Sequence, residues 1–172
     1  MSIPGLFIHN GYLNEQQQKE LLNYIDSVEW SNDLKRKTQH YGGRYDYVKR
    51  KVLNDRVLSF EKDAPLNNLR NNLVELFDGK LPDQCIVNEY LSGQSISQHI
   101  DAKCFGPIIV TVSLGDYTNF VMSKNDEKVN IKLNGGDLLI LKNDARHLWK
   151  HQTTPVYDKN YRRVSITFRT IN

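Results

Sequence analysis

The sequence predicts an α+β protein of one domain, residues 1–172, with N-terminal helices followed by a double-sheet jelly-roll core. Three observations favour this class. Apolar residues recur at helical spacing in two stretches before residue 80, short segments of strand-forming residues follow residue 84, and turn signals separate those segments. Helices followed by many short strands are typical of proteins in which helices cover one face of an antiparallel sheet.

Two helices are predicted in the first half of the chain. The first covers about residues 15–28, because Asn14 and Gln17 have the spacing of a capping box. The second begins at Pro65, which suits a first helical position, and ends at Asp78-Gly79. The predicted core-facing residues are Leu21, Leu22, Ile25 and Val28 in the first helix and Leu66, Leu69, Leu73, Leu76 and Phe77 in the second.

Six strands are predicted in the second half. Turn signals at Ser92-Gly93, Asn125-Asp126 and Asn134-Gly135-Gly136 divide this region into short segments rich in β-branched and aromatic residues. The predicted strands cover residues 85–90, 108–114, 119–122, 129–133, 137–141 and 163–170.

Composition narrows the class of protein. A chain of 172 residues, 39% of them hydrophobic, can bury a sizeable core. The net charge of +3 permits a polyanionic partner without requiring one. Two scattered cysteines, Cys85 and Cys104, form no disulfide framework, and no apolar run has the length of a membrane span. We therefore expect a cytoplasmic protein, or a nuclear one in a eukaryotic host, with no membrane and no evident stable protein partner.

The last predicted strand carries two arginines on one face. Because side chains alternate along a strand, Arg163, Ser165, Thr167 and Arg169 share one face, and the apolar residues between them share the other. The Cα atoms of the two arginines lie about 20 Å apart at about 3.3 Å per residue. If both side chains lean inward, the gap between the guanidinium groups fits a small dicarboxylate, a ligand that arginine binds bidentately.

A metal site is the second hypothesis drawn from the residues. His99 and Asp101 are two residues apart, so in an extended segment both side chains lie on one face and could bind one ion. Two histidines and one carboxylate form the ligand set of non-haem Fe(II) oxygenases. Spacing leaves two candidates for the second histidine, His147 and His151, and it also permits these residues to be ordinary surface polar groups.

Taken together, the motifs of the second half resemble those of the AlkB family of Fe(II)- and 2-oxoglutarate-dependent dioxygenases. This resemblance implies a double-stranded β-helix (jelly-roll) core at about residues 84–172 and a nucleotide-recognition-like lid at about 30–60, where Tyr41-Gly42 is similar to a short lid element. The matching strings are Asn88-Glu-Tyr90, Gly93, His99-Ile-Asp101, Val112-Ser-Leu-Gly115, Gly136-Asp137, Arg146-His-Leu-Trp-Lys-His151 and Arg163-Val-Ser-Ile-Thr-Phe-Arg169.

The resemblance implies specific roles. Fe(II) would be bound by His99, Asp101 and His151, and O₂ would be the oxidant. Many family members carry Asn where this chain has Ser165. The co-substrate 2-oxoglutarate would be bound by Asn88, Tyr90, Arg163, Ser165 and Arg169, with Arg163 at the far carboxylate.

The predicted substrate region is residues 36–50, in which tyrosines alternate with basic residues. Such a segment could stack on an unpaired or flipped base and contact phosphates. It could equally be a solvated hairpin whose tyrosines pack on the core. Lys103 stands where the DNA-repair archetype of the family has an acid that contacts the base. The candidate substrate residues are Tyr41, Arg44, Tyr45 and Lys103.

Three functional hypotheses follow. The first is an oxygenase that oxidises alkyl C–H bonds on nucleic-acid bases, by demethylation of DNA or RNA or by hydroxylation of a modified tRNA base. The residues of these motifs are most similar to those of the branch of the family that hydroxylates wobble uridines. The second is the same chemistry on a protein or a small molecule, and the third is a non-catalytic jelly-roll binding module.

Overall fold

The computed structural model describes residues 2–172 and arranges them as eleven β-strands and three α-helices. The helices are α1 (Glu15–Ser27), α2 (Pro65–Asn72) and α3 (Asn143–His147). The strands are β1 (Leu6–His9), β2 (Thr38–Tyr41), β3 (Arg44–Asp46), β4 (Lys51–Leu53), β5 (Gln84–Leu91), β6 (Phe105–Gly115), β7 (Thr118–Lys124), β8 (Glu127–Leu133), β9 (Leu138–Leu141), β10 (Lys150–Thr154) and β11 (Arg162–Ile171).

A six-stranded antiparallel sheet in the order β1-β9-β6-β11-β5-β2 forms the larger layer. Helices α1 and α2 cover its outer face, because both present an apolar stripe to it. The core between helices and sheet includes Leu21, Ile25, Leu66, Leu73, Val112, Val164, Ile166 and Phe168.

A three-stranded sheet in the order β10-β7-β8 lies against the inner face of the six-stranded sheet. A second apolar cluster joins the two layers, with Ile109 and Leu139 from the larger sheet and Phe120, Met122 and Leu133 from the smaller one. This pair of facing antiparallel sheets is the jelly-roll core that the strand pattern predicts.

The side chains of β11 point alternately into the helix-covered core and into the space between the two sheets. Val164, Ile166 and Phe168 are fully buried in the helix-covered core. The alternate residues, which include Arg163 and Arg169, point between the two sheets. The alternation predicted for this strand is therefore confirmed.

The predicted helices are confirmed with one change. Asn14 caps α1 in a complete capping box, since its Oδ1 accepts from Gln17 N at 2.8 Å and its own N–H donates to Gln17 Oε1. The second helix is shorter than predicted, because α2 ends at Asn72 and a 3₁₀ turn (Val74–Phe77) continues it. Asp78 and Gly79 then adopt positive φ angles of 55° and 85°, which end the helical segment.

Residues 30–60 divide into two parts. Strand β2 joins the edge of the larger sheet by pairing with β5, so this part belongs to the same layer as the core. Strands β3 and β4 form a separate two-stranded hairpin with Tyr47, Val48, Lys49 and Arg50 at its tip. Among residues 2–172, no helix is both long and apolar enough to cross a membrane.

Asp137 ties the N-terminal segment to the jelly roll. Its side chain is buried and accepts from Gly11 N at 2.9 Å and from Asn134 N at 2.8 Å. We expect Asp137→Ala to lower the free energy of unfolding by about 3 kcal/mol, because two backbone N–H donors lose a buried, charged acceptor. Urea unfolding measures this loss. The control Asp126→Ala, at an exposed turn, should change it by less than about 0.5 kcal/mol. Equal effects of the two substitutions would contradict this role for Asp137.

Candidate active site

A polar cavity lies between the two sheets, and side chains from both layers line it. Strands β5, β6, β9 and β11 supply one wall, and strands β7 and β10 supply the other. The segment between β5 and β6, which carries His99 and Asp101, closes one end. The polar lining residues are Asn88, Tyr90, His99, Asp101, Thr111, His151, Thr153, Arg163, Ser165, Thr167 and Arg169.

Three of the predicted metal ligands converge at that end. The Nε2 atoms of His99 and His151 lie 3.4 Å and 3.3 Å from the same oxygen, Oδ1 of Asp101. The backbones of His99 and His151 donate to each other's carbonyl oxygens at 3.0 Å and 2.9 Å, which fixes the spacing of the two rings. These ligand atoms all lie within 4.8 Å of one another, so the three residues could hold one ion.

The hydrogen bonding of His99 suits a metal ligand. Its Nδ1 lies 2.7 Å from the carbonyl oxygen of Ser97, and because a carbonyl only accepts, Nδ1 carries the proton. In the neutral ring the Nε2 lone pair then faces the Asp101 carboxylate, an arrangement that a cation between the two atoms stabilises. The residues present therefore fit a divalent metal ion.

The structure also separates the two candidate histidines. His147 is exposed in α3 and lies outside the cluster, whereas His151 lies on β10 beside Phe120, with ring centroids 5.4 Å apart. Burial lowers the pKa of His151, while Asp101 acts in the opposite direction. His151 is thus the histidine that the fold places beside Asp101.

Asp101 is held ionised in a buried position. Burial opposes its ionisation, but Arg169 and His151 outweigh that effect and hold the pKa of Asp101 well below its usual range. Arg169 Nε lies 3.0 Å from Asp101 Oδ2 in an ion pair whose geometry is not that of a hydrogen bond. The Arg169 guanidinium also lies over the Phe105 ring, 4.2 Å from its centroid.

Arg146 fixes the segment that follows Asp101. Its guanidinium is buried and donates to the backbone carbonyl oxygens of Asp101 at 2.9 Å, Ala102 at 2.9 Å, Phe105 at 3.2 Å and Gly106 at 3.0 Å. Sequence reasoning includes Arg146 in a motif but assigns it no role. Its place at the start of the motif Arg146-His-Leu-Trp-Lys-His151 is the sequence signal of that role.

Arg163 lies at the opposite end of the cavity and is only 3% exposed. Its Nη2 donates to Ser113 Oγ at 3.0 Å, and its guanidinium lies 5.5 Å from the centroid of the Tyr90 ring. Its Nε has no hydrogen-bond partner, and no carboxylate of the described residues pairs with it. Burial lowers the pKa of this guanidinium, with Tyr90 acting in the opposite direction. A buried, unpaired cation of this kind suits an anionic ligand such as a carboxylate.

Hydroxyl and amide groups fill the distance between the two arginines. Ser165 pairs in register with Asn88 of β5 on one side and with Ser113 of β6 on the other. Thr167 and Thr111 share a hydrogen bond of 2.9 Å on the same face. The cavity therefore presents a cation at each end and neutral polar groups between them, as an elongated dicarboxylate requires.

The four predicted substrate residues differ in burial and in side-chain partners. Tyr41, predicted to contact the substrate, is 1% exposed, stacks on Phe60 and donates to Gln39 Oε1, so the structure places its ring in the core and not at the surface. Arg44 donates to both carboxylate oxygens of Asp55. Tyr45 is half-buried, and Lys103 is exposed. The tyrosines of this segment are thus divided between core and surface.

Comparison with known proteins agrees with this geometry. A model of the 2OG-Fe(II) oxygenase superfamily matches residues 5–169. The chain is 33% identical over 186 residues to the uncharacterized protein L905 of Acanthamoeba polyphaga mimivirus, covering 99% of this chain and 86% of that protein.

Two further comparisons involve proteins named for AlkB homologues. The chain is 30% identical over 167 residues to mouse tRNA (carboxymethyluridine(34)-5-O)-methyltransferase ALKBH8, covering 88% of this chain and 24% of that protein. This chain thus spans about a quarter of the length of that relative. The solved structure of OsALKBH1 superposes with a TM-score of 0.78 at 17% identity, covering 99% of this chain and 98% of that one, and it confirms the double-stranded β-helix fold. The chain belongs to the 2OG-Fe(II) oxygenase superfamily and is an AlkB-like dioxygenase, whose family uses Fe(II), 2-oxoglutarate and O₂.

Proposed function

We propose that this chain oxidises alkyl C–H bonds on nucleic-acid bases, by oxidative demethylation of DNA or RNA or by hydroxylation of a modified tRNA base. In this proposal His99, Asp101 and His151 hold Fe(II), and Asn88, Tyr90, Arg163, Ser165 and Arg169 bind 2-oxoglutarate. Bound together, iron, 2-oxoglutarate and O₂ supply an oxidant strong enough to remove hydrogen from an unactivated C–H bond.

The protein's own contribution is placement. Arg163 fixes the far carboxylate of the co-substrate, and Ser165 and Asn88 offer hydrogen bonds along its length. Arg169 holds Asp101 ionised at the metal end. The apolar side chains of Ile109, Leu139 and Phe120 limit the entry of water. The substrate then needs only to present one C–H bond at the His99 side, where that ring is partly exposed.

The β3–β4 hairpin is the observation that carries the nucleic-acid part of the proposal. Tyr47 is 57% exposed and Val48 is 92% exposed at its tip, and Lys49, Arg50 and Lys51 follow, all exposed. Aromatic and apolar groups beside a run of cations suit stacking on bases and contact with phosphates.

Aromatic contacts connect this hairpin to the metal end of the cavity. The ring of Tyr45 lies 5.0 Å from that of Tyr47 and 5.6 Å from that of Phe105, centroid to centroid. Phe105 in turn lies under Arg169, which pairs with Asp101. A nucleic acid on the hairpin would therefore lie near the metal ligands.

The cations at the hairpin tip are not neutralised by ion pairs with described residues and could contact phosphates. Arg44 is paired with Asp55, and Arg56 is paired with Asp33. Lys49, Arg50 and Lys51 form no ion pair with any residue from 2 to 172. The name of the mouse relative, which refers to a uridine of tRNA, further favours an RNA substrate.

Mass spectrometry of products tests the proposal. The protein with Fe(II), 2-oxoglutarate and O₂ is incubated separately with methylated DNA, methylated RNA and total tRNA. We expect substrate-dependent succinate together with either formaldehyde, from an oxidised N-methyl group, or a base heavier by one oxygen. Succinate formation that none of the three nucleic acids stimulates would contradict the proposal.

Replacement of the three hairpin cations tests the interface itself. We expect the triple variant Lys49→Ala, Arg50→Ala, Lys51→Ala to weaken binding to single-stranded RNA at least tenfold at about 0.1 M salt. The slope of log K against log salt should fall by about 2, since each phosphate contact on a single strand contributes about 0.7. Fluorescence anisotropy at several salt concentrations measures both quantities.

The matched control removes the same charge elsewhere. Lys19, Lys128 and Lys159 are exposed and lie outside the hairpin, so their combined replacement by alanine lowers the net charge equally. This variant should keep most of the affinity for RNA. Equal losses in the two triple variants would show that only net charge matters and that the hairpin is not the interface.

A further inference from the structure

The segment 35–37, directly before β2, forms hydrogen bonds with strand β5, which lines the co-substrate cavity, and with the turn that follows β5. The backbone N–H of Glu89 donates to Lys37 O at 2.9 Å, and Gln94 Nε2 donates to Lys35 O at 3.3 Å. Both contacts flank Arg36, so its backbone is held on either side over the end of β5.

Arg36 uses this position to bind the side chain of Asn88. Its Nε donates to Asn88 Oδ1 at 3.0 Å. A guanidinium has donors and no acceptor, so the amide must turn its oxygen toward Arg36 and its NH₂ group away. This contact therefore fixes which end of the Asn88 amide faces which neighbour.

The opposite side of Asn88 is the cavity. Asn88 is 6% exposed and lines the cavity together with Tyr90, Arg163 and Ser165. The contact with Asn88 places Arg36 near this end of the cavity. Burial raises the pKa of Tyr90, and Arg163 and Arg36 both act in the opposite direction. An NH₂ group here can donate to an oxygen of an anionic ligand, whereas a flipped amide would present its oxygen and repel that ligand.

We propose that Arg36 is a positioning residue that orients Asn88 as a donor to 2-oxoglutarate and so couples residues 30–60 to co-substrate binding. This inference rests on the proposed binding of 2-oxoglutarate in the cavity. Because coupling is reciprocal, a co-substrate that needs this orientation also stabilises the contact between segment 35–37 and β5.

Binding of 2-oxoglutarate to the Mn(II)-loaded protein tests the proposal without turnover. We expect Arg36→Met, which keeps the apolar stem and removes the donors, to raise the Kd for 2-oxoglutarate about tenfold in calorimetry. The affinity for Mn(II) should not change. Arg36→Lys, which keeps a donor at this position, should recover part of the loss. Lys37→Met removes an exposed neighbouring charge and should leave the Kd unchanged.

A double-mutant cycle separates orientation from a general structural role. Once Asn88→Ala has removed the amide, Arg36→Met should cause no further loss of 2-oxoglutarate affinity. Equal losses in the presence and absence of Asn88, or an unchanged Kd in Arg36→Met, would overturn the inference. Failure of the unsubstituted protein to bind 2-oxoglutarate would instead contradict the proposed function. The stoichiometry of Mn(II) binding gives the fraction of native protein in each variant, so that each Kd refers to folded molecules only.

Discussion

Replacement of His151 by alanine should reduce Fe(II)-dependent formation of succinate at least about a hundredfold. Loss of a hydrogen bond to a metal ligand already costs 10- to 100-fold in affinity or activity, and the loss of a ligand should exceed that. The Nε2 atom of His151 lies 3.3 Å from Asp101 Oδ1, and among the described residues the cluster contains no histidine other than His99 and His151. Succinate release measured against Fe(II) concentration gives the result.

His147→Ala provides the matched control for that experiment. The two histidines are four residues apart and belong to the same motif, but His147 is exposed in α3 and lies outside the cluster. Its replacement should leave turnover within about twofold of the original rate. If the control lost activity and His151→Ala kept it, the ligand assignment would be reversed.

Replacement of Arg163 by methionine should remove binding of 2-oxoglutarate while leaving the unliganded protein at least as stable. Truncating one member of a buried, hydrogen-bonded charge pair costs about 2–5 kcal/mol, a factor of about 30 to several thousand in Kd. In the unliganded protein, however, this guanidinium is buried without a carboxylate partner. An apolar side chain of similar length should therefore be tolerated or preferred there.

For the neighbouring Arg162 we expect replacement to lower stability and to leave the affinity for 2-oxoglutarate unchanged. Arg162 points away from the cavity and forms ion pairs with Asp26 at 2.7 Å and Glu89 at 2.9 Å. We expect Arg162→Met to lower the free energy of unfolding by about 1–2 kcal/mol without changing the affinity for 2-oxoglutarate. Thermal unfolding of both variants with and without 2-oxoglutarate, in the presence of Mn(II), measures these effects. A ligand-induced rise in Tm that survives in Arg163→Met would contradict the assigned role.

Strands with a strong apolar period could be predicted from the sequence, whereas strands such as β2 and β10 could not. Strand β11 was predictable because Val164, Ile166 and Phe168 alternate with polar residues. Strands β2 and β10 carry the sequences Thr-Gln-His-Tyr and Lys-His-Gln-Thr-Thr, which have no apolar alternation. In β10 only His151 and Thr153 line the cavity, and in β2 Gln39 donates to the carbonyl oxygens of Ile25 and Val28 at the end of α1. The pattern that marks an ordinary strand is therefore missing from both strands.

The candidate site was predictable to a similar degree. The proposed roles of His99, Asp101 and Arg163 follow from spacing and resemblance, because each lies in a short motif. The contacts of Arg36 with Asn88 and of Arg146 with the segment after Asp101 join residues about 50 and 45 positions apart, and no local pattern records them. The burial of Tyr41 was likewise hidden, since the residues before it in β2, Thr38, Gln39 and His40, are polar and give no sign that the whole strand is buried.

Because alternate side chains of β11 enter the core and the cavity, the register that buries the core also sets which residues line the cavity. The same strand supplies Val164, Ile166 and Phe168 to the core and Arg163, Ser165 and Arg169 to the cavity. A shift in register by one residue would exchange the two sets and place guanidinium groups among the helices. Such a chain could not bury its core. Molecules that reach the native state therefore have Arg163, Ser165 and Arg169 in the cavity, and the burial of the core disfavours a folded population with a misaligned β11.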